Sequence, residues 1–510
     1  MATLLRRYLG DLDAAKDSSF ANHFVESPDL LRISTRQSDI IYGTKGVGKT
    51  ALRRALTELN SSTYYATTTI DLDPINFAQV HEALSGLKKA SKTEVATLAR
   101  NTWRNVLSMY CLEVVAKNLP NTHPLRQSIE SFLDDEGASS SEITNNRLLA
   151  SIERLFNLVA QAGLEREKNT LSPLGLTKRQ LSLINEFPCN PILKLLLERC
   201  STLIGESGKV ALVCLDGFDS IVDHTPESRK AIFAGLIDAI YKCSTDALFK
   251  SFCFKAFLPR ELTEEAQTLL WDNDKFINNT HYLGWSEKAF QDLLTKRLRP
   301  FARTKSGVFG DLWRDVMPDK VKNSSHTIEE PSFAYILRHT LYRPRQVLTH
   351  LQRIFDSWDE THQSHRIDPS FVPPVVAKTN YELARSAVGQ IQIMHPGLAD
   401  FLKSWSGSAN TIFVGDFQER IRKIFNCQTP PRIGDIFDSL FNLGIFGIAK
   451  AATIKSAQRT GAFRFAYVDD RFATTVYNSV DPYDVVALSP MLHEYCGCTS
   501  SEFGVVLPSQ

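Results

Sequence analysis

The sequence predicts an α/β fold built on a parallel sheet, and three observations carry that prediction. A short apolar stretch at 40–42 runs through glycines into a lysine, a threonine and a helical pattern in "SDIIYGTKGVGKTALRRAL". A second apolar run, "KVALVCLDGFDSI", ends on an aspartate at position 216. Between them a β-branched and aromatic stretch, "TYYATTTIDLD" at 63–73, is followed by a long helical pattern. Strands separated by helices are what parallel pairing requires, because a parallel connection needs a crossover.

The bulk composition narrows the class. A chain of 510 residues exceeds one compact core, so two to four domains are expected. Hydrophobic residues make up 43% and charged residues 23%, ordinary values for a soluble globular protein. Lys and Arg (58) balance Asp and Glu (57), so no global charge argues for nucleic acid or membrane. The opening "MATLLRRYLGDLDAAKD" meets arginines after few apolar residues and does not read as a signal peptide. No apolar run approaches the ~18 residues of a spanning helix. Nine cysteines are scattered, and Cys496 and Cys498 form the one close pair, without a second pair for zinc. Reduced thiols and a cytoplasmic location are expected.

Residues 14–34 read as a helical lead-in to the first strand. From about 77 to 200 the pattern is helical, with "TEVATLARNTWRNVLSMYCLEVVAKNL" its clearest stretch; Trp103 there reads as core. The polar "DDEGASSSEITNN" at 134–146 interrupts this block as a loop. Strand signals return at 209–216 and in "SFCFKAFLP" at 251–259, and 285–357 reads as helical. No internal repeat is evident.

Gly43, Gly48, Lys49 and Thr50 fit the G-x-x-x-x-G-K-[ST] spacing. Small residues let backbone N–H groups wrap a phosphate, the lysine neutralises β/γ oxygens, and the threonine hydroxyl can ligate Mg²⁺. The whole loop contributes contacts: Gly43, Thr44, Lys45, Gly46, Val47, Gly48, Lys49, Thr50 and Ala51. The helix opening at "ALRRAL" would turn its positive dipole end to the anion. The bland reading is a Gly-rich turn that opens a helix. Lys45 suggests a P-loop variant with an extra lysine, but that pattern needs lysine at 44 and glycine at 45, so it does not apply.

Asp216 stands at the tip of its strand, where a carboxylate can hold the Mg²⁺ water shell. Asp219, three residues on, is the candidate to polarise an attacking water. The alternatives are a turn aspartate at 216 and helix capping at 219, with Asp223 nearby.

With "GTKGVGKT" and "CLDGFD" together, the chain resembles a bacterial P-loop ATPase of the AAA-related STAND and origin-recognition grade. NACHT and KAP ATPases have a similar D-G-h-D strand end. The resemblance implies an ASCE/AAA-like P-loop NTPase core with a large helical insertion, a helical lid and a C-terminal winged helix. It implies ATP and Mg²⁺ as ligands. Within it, "FKAFLPREL" is similar to a sensor-1 strand, which would bring Arg260 to the γ-phosphate. "YLGWSEKAFQDLLTKRL" is similar to the start of a lid, and "YRPRQVLTHLQRI" to a sensor-2 helix carrying Arg343 and Arg345. A planar guanidinium suits phosphate oxygens; a solvated helix start with proline in its first turn explains "RPR" equally well. The second acid sits three positions after the first, where many AAA proteins use the adjacent one, and the hydrolysis expected is slow.

The boundaries implied are 1–75 with 205–280 for the core, 76–204 for the insertion, 281–405 for the lid, 406–485 for the winged helix and 486–510 for a tail. In the C-terminal module, "DFQERIRKIF" and "PRIGDIFDSLFNLG" read as helices, followed by two strands around "KAATIKSAQRTGA". Phe463, Phe465 and Tyr467 alternate as on a half-buried strand. Lys450, Lys455, Arg459 and Arg464 could make a basic wing, yet the second helix carries Asp435 and Asp438, which disfavour a phosphate backbone.

Three functions are compatible with these features. The favoured one is an ATP-driven switch, and the resemblance implies signalling or anti-phage defence with a separately encoded effector, homo-oligomerisation and no membrane contact. The others are a DNA-acting ATPase and a nucleotide-binding scaffold without turnover. Arg297 and Arg299 are among the arginines that could act in trans.

Overall fold

The structure, a computed structural model, describes residues 8–26, 28–35, 37–71, 92–135, 190–218, 226–260, 279–322, 329–362, 364–450, 462–467, 476–499 and 507–508. The chain divides into two units. One comprises Glu26–Lys45 and Lys49–Leu283; the other comprises Met1–Val25, Gly46–Gly48 and Gly284–Gln510.

The first unit is an α/β domain. After α1 (Pro28–Ile33) come β1 (Asp39–Gly43), α2 (Lys49–Arg54), β2 (Thr67–Asp71), α3 (Lys92–Asn118), α4 (Pro124–Asp135) and α5 (Pro191–Glu206). Then follow β3 (Ala211–Asp216), α6 (Pro226–Thr245), β4 (Phe252–Pro259) and β5 (Thr280–Tyr282). Among the described residues these strands form a five-stranded sheet in the order β2-β3-β4-β1-β5, every pair parallel. Every residue of β1, β3 and β4 is buried, as expected for strands covered on both faces. The expected strands at 40–42, 63–73, 209–216 and 251–259 are all present, with ends shifted by a few residues.

Helices of the 77–200 block cover this sheet. Trp103 on α3 is core, and its indole N–H donates to the Ile232 carbonyl at 3.0 Å. Gly235 on α6 permits a close approach of α3, because a Cβ there would lie 2.6 Å from the Ala99 Cβ. The interrupting loop at 134–146 falls mostly outside the described residues. Within the sheet, the ammonium of Lys255 on the central strand β4 is wholly buried against the Asp39 carboxylate at the start of β1, with His281 Nε2 3.3 Å from the other oxygen. A charge in so dry a place requires a partner of opposite sign.

In the second unit, α7 (Glu287–Leu298), α8 (Phe309–Val316), β6 (Lys320–Lys322), β7 (Glu329–Pro331), α9 (Ser332–Arg338), α10 (Pro344–Thr361), α11 (Val372–Met394) and α12 (Leu398–Lys403) succeed one another. The expected helical run at 285–357 thus contains a short antiparallel hairpin, β6–β7. The lead-in 8–25 groups with this unit, which corrects its expected place in the core. Leu9 N–H donates to Gln352 Oε1 at 3.0 Å, Arg297 Nη1 donates to the Leu9 carbonyl at 2.6 Å, and Arg297 Nη2 lies 3.1 Å from Asp17. Arg297 is therefore a buried staple within the chain, and Arg299 Nη2 likewise donates to the Lys305 carbonyl at 3.2 Å.

The same unit continues with β8 (Thr411–Phe413), α13 (Val414–Ile424), α14 (Pro430–Asn442), β9 (Phe446–Ala449), β10 (Ala462–Phe463), β11 (Val485–Leu488), α15 (His493–Cys496) and β12 (Leu507–Pro508), the last parallel to β10. The three-stranded sheet has the order β8-β11-β9, both pairs antiparallel. The boundary expected at 485 therefore falls inside the central strand, and residues 486–488 are core rather than tail. Arg464 bridges Ile448 on β9 in antiparallel fashion, and Phe463 and Phe465 are buried.

Candidate functional site

The sheet order brings the chemistry to one edge. β4 lies between β1 and β3, with Gly43 opposite Pro259 and Asp71 opposite Asp216. The carboxyl ends of four strands thus carry Gly43, Asp71, Asp216 and, directly after Pro259, Arg260. Ligand sites in open α/β sheets gather at such carboxyl edges.

The loop after β1 turns through two left-handed glycines, Gly46 at φ 85° and Gly48 at φ 110°. A side chain at either would strain the backbone. Lys49 opens α2 and is buried, with Nζ donating to the Gly43 carbonyl at 2.8 Å and the Thr44 carbonyl at 3.4 Å. The loop therefore folds around the ammonium of Lys49. Lys45 is exposed, Val47 is buried, and Thr44, Thr50 and Ala51 are intermediate.

Asp216 is engaged on both oxygens. Oδ1 accepts the Gly217 N–H at 3.0 Å, and Oδ2 accepts from Arg53 Nε at 3.1 Å. Arg53 Nη1 also donates to Thr69 Oγ1 on β2 at 3.3 Å. The sequence reading passed over Arg53. The signal was its spacing: it lies three residues after Thr50, hence on the same helix face.

The guanidinium of Arg260 lies over the Tyr282 ring at 5.9 Å, and Tyr282 stacks on Tyr42 at 5.4 Å. Burial pushes the Tyr42 hydroxyl well above the usual phenol range, with Tyr282 adding to the shift. Asp219 lies outside the described residues.

In the second unit, the tripeptide Gly46–Gly48 meets the lid-like segment. Trp285 Nε1 donates to the Val47 carbonyl at 2.7 Å. A Cβ built on Gly46 would lie 3.5 Å from the Cβ of Arg345 and 4.0 Å from that of Arg343. Arg343, the residue before α10, is buried, while Arg345 is 43% exposed and 3.8 Å from Asp13. Both arginines of "RPR" thus reach the glycine turn with their side-chain bases. Trp285 was missed as a site residue because one tryptophan in a helical pattern carries no spacing signal.

These residue types fit a phosphate and a divalent cation. Left-handed glycines turn backbone N–H groups to one side, a fixed ammonium supplies positive charge, and a threonine hydroxyl and an aspartate supply hard oxygen donors.

No protein-family model matches the chain, and no curated protein matches it. Among solved structures it is similar to the Aeropyrum pernix ORC2 protein, determined as ADPNP-ADP complexes. The two share 10% identity over 96% of this chain and 95% of that one, with a TM-score of 0.37. No described helix is long and apolar enough to cross a membrane, and no described cluster of three or more His, Cys, Asp or Glu could hold a metal by itself.

The C-terminal module holds one further finding. Asp438 on α14 is buried and accepts the N–H groups of Val476 and Tyr477 at 2.7 and 2.8 Å. Burial raises its carboxyl above the ordinary range, against the pull of those two N–H groups. It therefore faces inward, and of the two acids that counted against a nucleic-acid face only Asp435 is exposed. Of the cations expected to make a basic wing, Lys450 pairs with Asp484 at 2.9 Å and Arg464 lies over the Phe441 ring at 5.5 Å. Lys455 and Arg459 lie outside the described residues.

Proposed function

We propose that the chain binds ATP with Mg²⁺ on the loop 43–51 and hydrolyses it slowly, as a nucleotide-dependent switch. The observation that carries this reading is the buried Lys49 ammonium wrapped by a loop whose two turning residues are left-handed glycines. Such a loop has few uses other than to grip phosphate.

In this reading backbone N–H groups of residues 44–51 cradle the phosphates and Lys49 neutralises them. Thr50 and Asp216 would hold the cation, which when bound would supply charge neutralisation to the phosphates. Asp219 orients the attacking water and accepts its proton. Arg260 would contact the terminal phosphate, and Arg343 or Arg345 would reach the nucleotide. Homo-oligomerisation and a separate effector chain, in signalling or anti-phage defence, would be the outlet of such a switch.

The test is equilibrium binding of a fluorescent ATP analogue to the full chain and to Lys49→Ala. Affinity falling by two orders of magnitude or more supports the reading; unchanged affinity overturns it. A chain that binds ATP without releasing phosphate would be a scaffold rather than a switch.

The inward Asp438 favours keeping a second reading, a DNA-acting ATPase that uses the C-terminal module as a winged helix. Duplex titration at low and high salt separates the two, because contacts to phosphates weaken steeply with salt. Absence of binding at low salt eliminates this second reading.

A further inference from the structure

Arg53 has no part in the phosphate-binding scheme, yet its guanidinium occupies the carboxylate assigned to the cation. It stands one helical turn beyond Thr50, and helical side chains lean toward the N-terminus. That direction takes Arg53 toward the strand ends, where Nε meets Asp216 Oδ2 at 3.1 Å and Nη1 meets Thr69 Oγ1 at 3.3 Å. The two charged side chains are 18% and 11% exposed, so bulk water screens their attraction only in part. Because Oδ1 already accepts the Gly217 N–H, neither oxygen of Asp216 is without a partner.

We propose that Arg53 is an internal counter-cation that competes with Mg²⁺ for Asp216 and thereby sets the metal concentration at which the nucleotide complex becomes Mg²⁺-loaded. The inference rests on the nucleotide-binding reading above. A guanidinium keeps its proton throughout the accessible pH range, so Oδ2 is freed by displacement and not by titration. Displacement also costs the Thr69 contact. While Arg53 holds Asp216, the phosphates are gripped without the cation, by Lys49, the loop and the arginines, so nucleotide is retained at low metal concentration.

The competing explanation is a staple: Arg53 merely ties the ends of β2 and β3 together. The two differ in their readouts. Loss of a staple lowers the melting temperature and leaves metal dependence alone, whereas loss of a competitor lowers the Mg²⁺ requirement.

The experiment uses the full chain, a fluorescent ATP analogue and a Mg²⁺ titration of the nucleotide-loaded protein, started in EDTA. Arg53→Gln is expected to lower half-saturating Mg²⁺ by roughly two- to five-fold, the scale of one ion pair in contact with solvent. Thr69→Val keeps the charge but loosens its hold, and a smaller shift in the same direction is expected. Should Arg53→Gln fail to fold, Thr69→Val decides alone. Superimposable Mg²⁺ curves for wild type and the folded variants overturn the inference while leaving the nucleotide reading intact. Absence of nucleotide binding by the wild type at every Mg²⁺ concentration overturns both.

Discussion

The indole N–H of Trp285 donates to the carbonyl of Val47 at 2.7 Å, and its ring stands 3.9 Å from the position of a Cβ on Gly48. A side chain outside the loop thus reads the backbone of the glycine turn directly. Any nucleotide that reorients this turn changes the polarity around the indole. ATP is expected to alter intrinsic fluorescence, and Trp285→Phe to remove most of that change although five other tryptophans remain of the six in the chain. Loss of the hydrogen bond costs about 1 kcal/mol, so nucleotide affinity shifts by up to roughly five-fold.

Gly235 gives a stability prediction of a different kind. A methyl group there meets the Ala99 Cβ at 2.6 Å and backbone atoms of Ala99 and Arg100 at 2.8 Å. Backbone cannot swing aside as a flexible side chain does, so α3 and α6 must separate. Gly235→Ala is expected to destabilise the α/β unit by roughly 1–3 kcal/mol, measured by urea unfolding.

The Lys255–Asp39 pair makes an opposite case, in which two changes do less harm than one. Lys255→Met strands a carboxylate within the dry sheet, beside His281. A loss of roughly 3–5 kcal/mol is expected. Adding Asp39→Asn to Lys255→Met removes the stranded charge, and the double variant should be more stable than Lys255→Met in the same unfolding assay.

Acid should weaken the second unit through its buried histidines. Burial pushes His350 and His493 down to about 4, while carbonyls at His339 and Leu488 pull each the other way. The unfolded chain takes up these protons near pH 6.5, but the folded chain resists until about pH 4. Stability is therefore complete above pH 6.5 and falls as pH drops from 6.5 toward 4, by up to roughly 3 kcal/mol for each group. Melting temperature measured across that window should fall, and His350→Gln should flatten the slope.

Much of the α/β unit was legible because its signals are local. The glycine spacing, the β-branched run of β2 and the acid at the end of β3 each declare themselves within about ten residues. What escaped depended on distant partners. The spacing puts Arg53 on the helix face of Thr50, but its partner appears only once Asp216, 163 residues away, comes beside it. The strand Val485–Leu488 is a four-residue apolar run without alternation, which a surface tail could also contain, and it becomes a strand by pairing with β8 and β9. Asp438 carried the wrong implication because a sequence gives its charge and not its direction. The two N–H groups it accepts lie 38 and 39 residues further on.

The tie between Leu9 and Gln352 spans 343 residues, and it bears on how the chain is made. A ribosome releases the first residues long before the helix that receives them. Synthesis favours the domain whose parts emerge together, so the α/β unit can close while the N-terminal segment still waits unpaired. Its exposed apolar residues, Leu9 and Phe20 among those later buried, must stay out of trouble for most of the translation time. Rearranging the gene so that 8–25 follows the last strand should shorten that wait and raise the yield of soluble protein.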